Sequence, residues 1–490
     1  MRFSELDGAS VGVWGAGREI SSFADQLARR LPSARIAVAA FDAPPAPDVR
    51  NTLRAPDARI LLADADSGAG DGADGRADAG AAARDALVAA LSGCDVVVRS
   101  PGVSIYRREL QALRAAGTPV TTATSLWLAE HGGAGVIGVT GTKGKSTTAA
   151  LAFHLARSAG RTALLAGNIG VPALDLLDDE PAEVTVLELS SYHTADLEIG
   201  PEVAVVTNLY REHADWHGSE QAYRADKLRV LGLPGVRVAV LSARDERLAE
   251  LAPDVETIRY GQPGGWDALA AGVALGGGVA LAGRGALAGR DALAGGVALR
   301  GELVAAADEL PLRGEHNVLN LCAALAALEA LGVAPAPLPG ALDGFQPLPH
   351  RLEPVAERDG VAWVNDSIST TPESTIAALA SFPGRELILI GGGQDRGQDY
   401  TQLADVLAHA DATVIGVPST GGRLLAAARA AGVRPARAIA AEDMREAVEI
   451  ARALARSGTT VLLSPAAPSY DNYRDFEQRG ERFRALAVSC

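Results

Sequence analysis

The chain has 490 residues, 48% of them hydrophobic, and a formal net charge of −15. That length exceeds what one hydrophobic core sustains, so roughly two to four domains are expected. The acidic balance excludes a global attraction to nucleic acid or to an anionic membrane and leaves room only for local basic pockets. Cys94, Cys322 and Cys490 lie far apart with no CxxC pair, which argues against a disulfide framework or structural zinc and fits a reducing compartment. MRFSELDGAS has no apolar core of a signal peptide, and no apolar run reaches a membrane span, so a cytoplasmic protein without membrane insertion is expected.

The chain opens with a βα unit, ASVGVWGAGREISSFADQLARRL, in which a short apolar strand runs into Gly12, Gly15 and Gly17. This glycine spacing is not the dinucleotide order GxGxxG, but a helix start after glycines can hold a phosphate or diphosphate. A second strand, RIAVAAFD, ends at Asp42, where a group contacting a base or sugar is often found; an ordinary first unit of an α/β domain is the competing reading. Residues 64–84 are small, acidic and poor in aromatics and read as a loop insertion. The strand CDVVVRSPGVS follows, and a first boundary is expected at 131–135, in HGGAG.

A second segment begins with VIGVT, a glycine-lysine turn and the helix STTAALAFHLARSAG, and continues through the strands TALLAGNIG, EVTVLELSS and VAVVTNLY. Alternating strands and helices predict a mostly parallel sheet with its binding loops at the carboxyl edge. Residues 261–304 read as Gly/Ala-rich strands joined by short turns, and EHNVLNLCAALAALEALG as a helix stopped by Gly332. The proline-rich stretch 333–349 predicts a second boundary, beyond which VAWVNDS, ELILIGGG, ATVIGVP and TTVLLSPAAPS form a third α/β segment.

The turn Gly141, Thr142, Lys143, Gly144, Lys145, Ser146, Thr147 carries the clearest chemistry. A strict P-loop would have glycine where Val139 stands, yet the context of strand, turn and helix is the one a phosphate loop requires. Amides at the helix start face one point, Lys145 adds positive charge, the Ser146 hydroxyl can reach magnesium, and Gly144 admits phosphate without a Cβ clash. Glu188 and His213 end or follow neighbouring strands and are candidate cation ligands; Asp215 and His217 are rivals that spacing leaves open. Lys227 by itself reads as a solvated helix face. Asn317 and Asn320 share one helical face and suit either a purine edge or a cap. Arg351, after the linker, could bridge phosphates.

Taken together, GTKGKST, GNIG, ELSSYHTADL, TNLYREHADWHGS, AYRADKLRV, GEHNVLN, HRLE, VNDSISTTPEST, GGGQDRG and LLSPAAPSYDNYRDFEQRG stand in the order of the cytoplasmic Mur ligases, and the resemblance covers essentially the whole chain. It most resembles the branch that joins glutamate to UDP-N-acetylmuramoyl-L-alanine in peptidoglycan precursor synthesis. The fold class implied is α/β with three domains: a Rossmann-like UDP-sugar domain (1–132), a P-loop ATPase-like parallel-sheet domain (133–345) and a Rossmann-like glutamate domain (346–490). The resemblance implies an ATP-dependent amide ligase that forms an acyl phosphate, with Mg2+ as cofactor and a monomer as the working form. By motif, Lys145 and Ser146 serve the ATP phosphates. Ser146, Glu188, His213 and a carbamylated Lys227 would hold magnesium. Asn317, Asn320, Arg351 and Asp366 match nucleotide contacts. Gly15, Gly17, Asp42 and Asn168 match the UDP-sugar side, and Thr370, Arg396, Ser469 and Phe476 the glutamate side.

Two departures bear on the amino acid that is added. The family's lysine after Asn-Asp-Ser is replaced by Ile368, and a second lysine aligns with Arg396. Arginine's fixed fork does not substitute for a lysine point charge, so the clamp on the glutamate carboxylates is rearranged. ISTTPEST resembles the branch that adds L-glutamate, whose product passes to a terminal-glutamate epimerase; D-glutamate is the alternative. A folylpolyglutamate synthase-like ligase and a non-catalytic nucleotide sensor are further readings. The glycine-rich first unit argues against the former, and the retained Lys145, Glu188, His213 and Lys227 argue against the latter.

Overall fold

The computed structural model describes residues 1–15, 17–42, 49–63, 76–210, 214–269, 296–306, 309–311, 314–346, 349–382, 384–410 and 412–489. Two compact units emerge, one of residues 1–306 with 319–343, the other of 307–318 with 344–490.

In the first unit, β1 (Ser10–Trp14), β2 (Arg35–Phe41), β3 (Arg59–Leu62), β4 (Val96–Arg99) and β5 (Val120–Thr121) form a parallel sheet in the order β3-β2-β1-β4-β5. The near-continuous apolar runs of β1 and β4 suit strands covered on both faces. Strand order reverses between β1 and β4, which opens a crevice at their carboxyl ends. A second parallel sheet combines β6 (Val136–Thr140), β7 (Ala163–Gly167), β8 (Val184–Glu188), β9 (Val203–Val206), β10 (Val238–Ser242) and β11 (Glu256–Tyr260) in the order β11-β10-β9-β6-β8-β7. A small antiparallel sheet of β12 (Trp266–Leu269), β13 (Gly296–Leu299) and β14 (Glu302–Ala306) follows, in keeping with strands expected at the two ends of 261–304, of which 270–295 lie outside the described residues.

The boundary expected at 131–135 falls between two sheets inside this one unit. Leu126, Trp127 and Leu128 share a buried apolar cluster with Phe23, Leu174 and Leu176, so the segments on either side pack as one body. The insertion read at 64–84 needs correction: residues from 76 onward belong to the helix Arg76–Ser92, while 64–75 lie outside the described residues. Its alanine-rich sequence needs no aromatic anchor, because alanine has the highest helix propensity.

In the second unit, β15 (Glu353–Arg358), β16 (Val361–Asn365), β17 (Glu386–Gly391), β18 (Thr413–Gly416), β19 (Ala438–Ala440) and β20 (Thr459–Leu463) are ordered β15-β16-β20-β17-β18-β19. All pairings are parallel except the edge pair β15–β16. The main break between the units, at 343/344, falls inside the proline-rich stretch. Among the described residues no helix is long and apolar enough to cross a membrane.

Candidate active site

The loop 141–144 leaves β6 and enters the helix Lys145–Ser158, with Gly144 as its left-handed cap at φ 83°. The first turn of such a helix offers amides without intrahelical acceptors, the element an anion needs. Both glycines are required by close approach. A Cβ on Gly141 would stand 1.9 Å from Thr207 Oγ1, and one on Gly144 2.3 Å from Asn320 Oδ1. The residues following β9 brace the loop: the Lys143 amide donates to Asn208 Oδ1 (2.7 Å), and Thr207 Oγ1 donates to the Lys143 carbonyl (2.6 Å). Lys145 Nζ donates to the Thr142 carbonyl at 2.9 Å. Ser146 is buried, and the buried Thr147 hydroxyl has no hydrogen-bond partner.

Beside this loop, β8 places Glu188 opposite Val139 of β6. Glu188 is 1% exposed; Oε1 accepts from Asn168 Nδ2 at 2.8 Å, whereas Oε2 is buried with no hydrogen-bond partner. An unsatisfied, buried carboxylate oxygen is costly unless a cation or donor meets it. Lys227, on the helix Glu220–Leu228, is 2% exposed rather than on a solvated face. Its Nζ donates to the Gly141 carbonyl at 2.8 Å and lies 5.0 Å from the centre of the Tyr223 ring, while the Tyr223 hydroxyl is 2.8 Å from Thr142 Oγ1. Glu188 and Lys227 are therefore both drawn to the phosphate loop. His213 lies outside the described residues, as does the side chain of Asp215. The rival His217 is committed elsewhere, with Nδ1 2.6 Å from Asp226 Oδ2 and Nε2 3.0 Å from Ser191 Oγ. No cluster of three or more His, Cys, Asp or Glu side chains suited to a metal occurs among the described residues, which do not include His213.

A cavity of about 220 Å³ at the β1–β4 crevice is lined by Arg18, Glu19, Ser100, Asn168, Tyr192 and His193, among others. Gly15 (φ 99°) is needed because a Cβ there would meet Ser100 Cβ at 2.6 Å, and Gly17 caps the helix Arg18–Arg30. Arg18 donates to the carbonyls of Asn168 (2.9 Å) and Gly170 (3.0 Å), joining the first helix to the loop after β7. Asp42 is held by Trp14 Nε1 (3.2 Å) and by the Arg107 guanidinium (2.6 Å). The sequence reading passed over Arg18, Glu19 and His193. The clue available was two charged residues directly after the glycine turn.

In the second unit, Thr370, Ser469 and Arg396 stand on the loops after β16, β20 and β17, three neighbouring strands. The buried Arg479 ties the loops after β16 and β20 together, donating to Ser367 Oγ (3.0 Å) and to the carbonyls of Ser367 (2.8 Å), Ala467 (3.0 Å) and Pro468 (3.2 Å). Burial pushes its guanidinium down to about 10. The guanidinium of Arg396 lies 5.7 Å from the centre of the Tyr470 ring. Phe476 starts the helix Phe476–Val488, and its carbonyl accepts from Ser367 Oγ at 2.8 Å. Asp366 is buried, accepting from Leu352 N (3.1 Å) and Ser464 Oγ (2.8 Å). Burial pushes its carboxyl up to about 6 against hydrogen bonds from Ser369 and Ser464 and the charge of Arg351. His316, which also feels the charge of Arg351, is pushed down to about 4, first by burial and then by that charge. Asn317 and Asn320 lie three apart on the helix Glu315–Ala330, and both are buried.

Residues 139–328 match the Mur ligase middle domain, and residues 350–467 match the Mur ligase glutamate ligase domain. A UDP-N-acetylmuramoyl-L-alanine–L-glutamate ligase of Xanthomonas axonopodis pv. citri is 40% identical over 505 residues, covering 99% of this chain and 97% of the relative. The ligase of the same name from Salinispora tropica is 40% identical over 493 residues, covering 99% and 98%. Among solved structures, the MurF ligase of Thermotoga maritima in complex with ADP superposes with a TM-score of 0.57 at 17% identity, covering 99% of this chain and 96% of that one. A Mycobacterium tuberculosis folylpolyglutamate synthase shares the fold at a TM-score of 0.53 and 18% identity, covering 74% of this chain and 94% of that one. On full-length identity and on both matched domains, the chain belongs to the Mur ligase family.

Proposed function

We propose that the protein joins L-glutamate to UDP-N-acetylmuramoyl-L-alanine at the expense of ATP, in peptidoglycan precursor synthesis in the cytoplasm. Full-length identity of 40% to ligases bearing that name supports the reading, and the phosphate loop braced by Lys227 beside Glu188 is the observation that carries it.

Segments 1–132, 133–345 and 346–490 serve the UDP-sugar, ATP and glutamate in turn. The substrate's terminal carboxylate attacks the γ-phosphorus of ATP, the bond to the bridging oxygen breaks, and ADP leaves. The glutamate amine then attacks the acyl carbon, loses a proton, and phosphate departs from the tetrahedral intermediate. The loop amides, Lys145 and Ser146 orient the phosphates, and their positive potential stabilises charge as it moves to the bridging oxygen. Magnesium fits the residues present: the partnerless Glu188 Oε2, the Ser146 hydroxyl and Lys227 as a carbamate, together with His213 by motif, would hold it, and it would supply charge neutralisation at the phosphates. Asn317, Asn320, Arg351 and Asp366 are assigned to the nucleotide. Gly15, Gly17, Asp42 and Asn168 are assigned to the UDP-sugar, with Asp42 acting through its grip on Arg107. Thr370, Arg396, Ser469 and Phe476 are assigned to glutamate. With Ile368 in place of one family lysine and Arg396 in place of a second, the glutamate carboxylates meet the fork of Arg396, and the L-configured product suits a terminal-glutamate epimerase.

The test is phosphate release with UDP-N-acetylmuramoyl-L-alanine, ATP and magnesium, run in parallel with L- and D-glutamate. Turnover confined to L-glutamate is expected. Turnover confined to D-glutamate would overturn the stereochemical assignment, and silence with both would overturn the acceptor.

A further inference from the structure

The cavity at the β1–β4 crevice contains a polar arrangement that phosphate chemistry does not use. Glu19, the second residue of the helix Arg18–Arg30, lines it together with Ser190 and His193, the cap and third residue of the short helix Ser191–Thr194 that follows β8. Glu19 Oε1 is bound to His193 Nε2 and accepts from Thr124 Oγ1 at 3.2 Å. On its other nitrogen, His193 Nδ1 accepts from the Ser190 amide at 3.1 Å and lies 2.7 Å from Ser190 Oγ. An Nδ1 that accepts from an amide places the imidazole proton on Nε2, facing Glu19. Burial pushes the Glu19 carboxyl up, but its contacts with His193 and Thr124 outweigh this and hold Glu19 below its ordinary value.

Glu19 Oε2, by contrast, is buried and has no hydrogen-bond partner. The adjacent Arg18 is turned to the carbonyls of Asn168 and Gly170. An ionised oxygen in this position accepts hydrogen bonds only, and it repels a phosphate or carboxylate placed against it. The part of a ligand that lies there must bring a donor.

We propose that Glu19 is a specificity residue for the UDP-sugar substrate: its Oε2 accepts a hydrogen bond from an amide N–H or hydroxyl of the muramoyl portion, while His193 and Thr124 fix the carboxylate through Oε1. This rests on the substrate assignment above. It adds that the anionic ends of the substrate lie away from Glu19, so that the molecule can enter the cavity in one orientation.

Glu19→Gln is the informative change, because its amide oxygen can still accept from His193 while a donor replaces Oε2. The expected result is a KM for UDP-N-acetylmuramoyl-L-alanine raised roughly tenfold to a hundredfold, with kcat, the KM for ATP and the melting temperature little changed. Equal losses for all substrates, or an unchanged KM for the UDP-sugar, would overturn the proposal. Calorimetric titration of the same substrate into both proteins separates this from failure of the parent reading. A wild-type chain that binds the substrate without ligating it, and loses binding in Glu19→Gln, would sink the reaction but support the site. A wild-type chain that does not bind it would sink both. Glu19→Asp, which keeps the charge on a shorter arm, is expected to recover part of the affinity.

Discussion

Lys227 Nζ and the Gly141 carbonyl are 2.8 Å apart, so the helix Glu220–Leu228 is tied to the first residue of the phosphate loop. A buried amine in that position shapes the loop, which leaves strand β6, and β6 pairs with the β8 strand that carries Glu188 and its unpartnered oxygen. Lys227→Ala would leave the carbonyl unsatisfied, at a cost of about 1–3 kcal/mol in stability. Turnover should fall at least ~100-fold, in line with loss of a group that acts on transition-state charge. Lys227→Arg, which cannot form a carbamate, should bind ADP but fail in phosphate release. Wild-type turnover should drop when bicarbonate is depleted and return when it is restored.

Glu188→Gln separates charge from packing. The glutamine oxygen can keep the bond from Asn168, and removal of a buried charge relieves its desolvation. Stability is expected to hold or rise while magnesium-dependent phosphate release collapses. A variant with near wild-type turnover would remove Glu188 from the cation site.

Gly144→Ala is expected to fail for two reasons. The backbone sits at φ 83°, where a side chain costs about 1–2 kcal/mol, and the new Cβ would stand 2.3 Å from Asn320 Oδ1. Adding Asn320→Ala should recover the steric part but not the conformational part. The double-mutant cycle, read by denaturant unfolding, should therefore show positive coupling.

Asp366 predicts a pH slope. Its carboxyl is pushed up to about 6 when folded, against 3.8 for an unperturbed aspartate. Between those values the folded chain keeps a proton that the unfolded chain has released, so stability falls as pH rises through that window and levels off above it. The difference corresponds to at most about 3 kcal/mol. Asp366→Asn should flatten the slope in denaturant titrations across that range. His316 acts in the opposite direction: held neutral down to about pH 4, it contributes stability that is lost as pH falls from 6.5 towards 4.

Much of this protein was legible from local pattern. The apolar runs of β6, β8 and β16, the helix after the glycine-lysine turn and the proline-rich break near 343/344 follow from propensity and periodicity, which short stretches of chain carry within themselves. Motif order was enough to reach the family. Other features belong to the tertiary structure alone. The Lys227 helix reads as a solvated face until Tyr223 and Gly141 close over its amine. Arg479 is one basic residue among many until two loops bring their oxygens to it. Glu19 and His193 are 174 positions apart, and nothing local to either reveals the other. Such pairings are decided by which buried polar groups can satisfy each other once the sheets have packed, because a buried charge without a partner is too costly to keep.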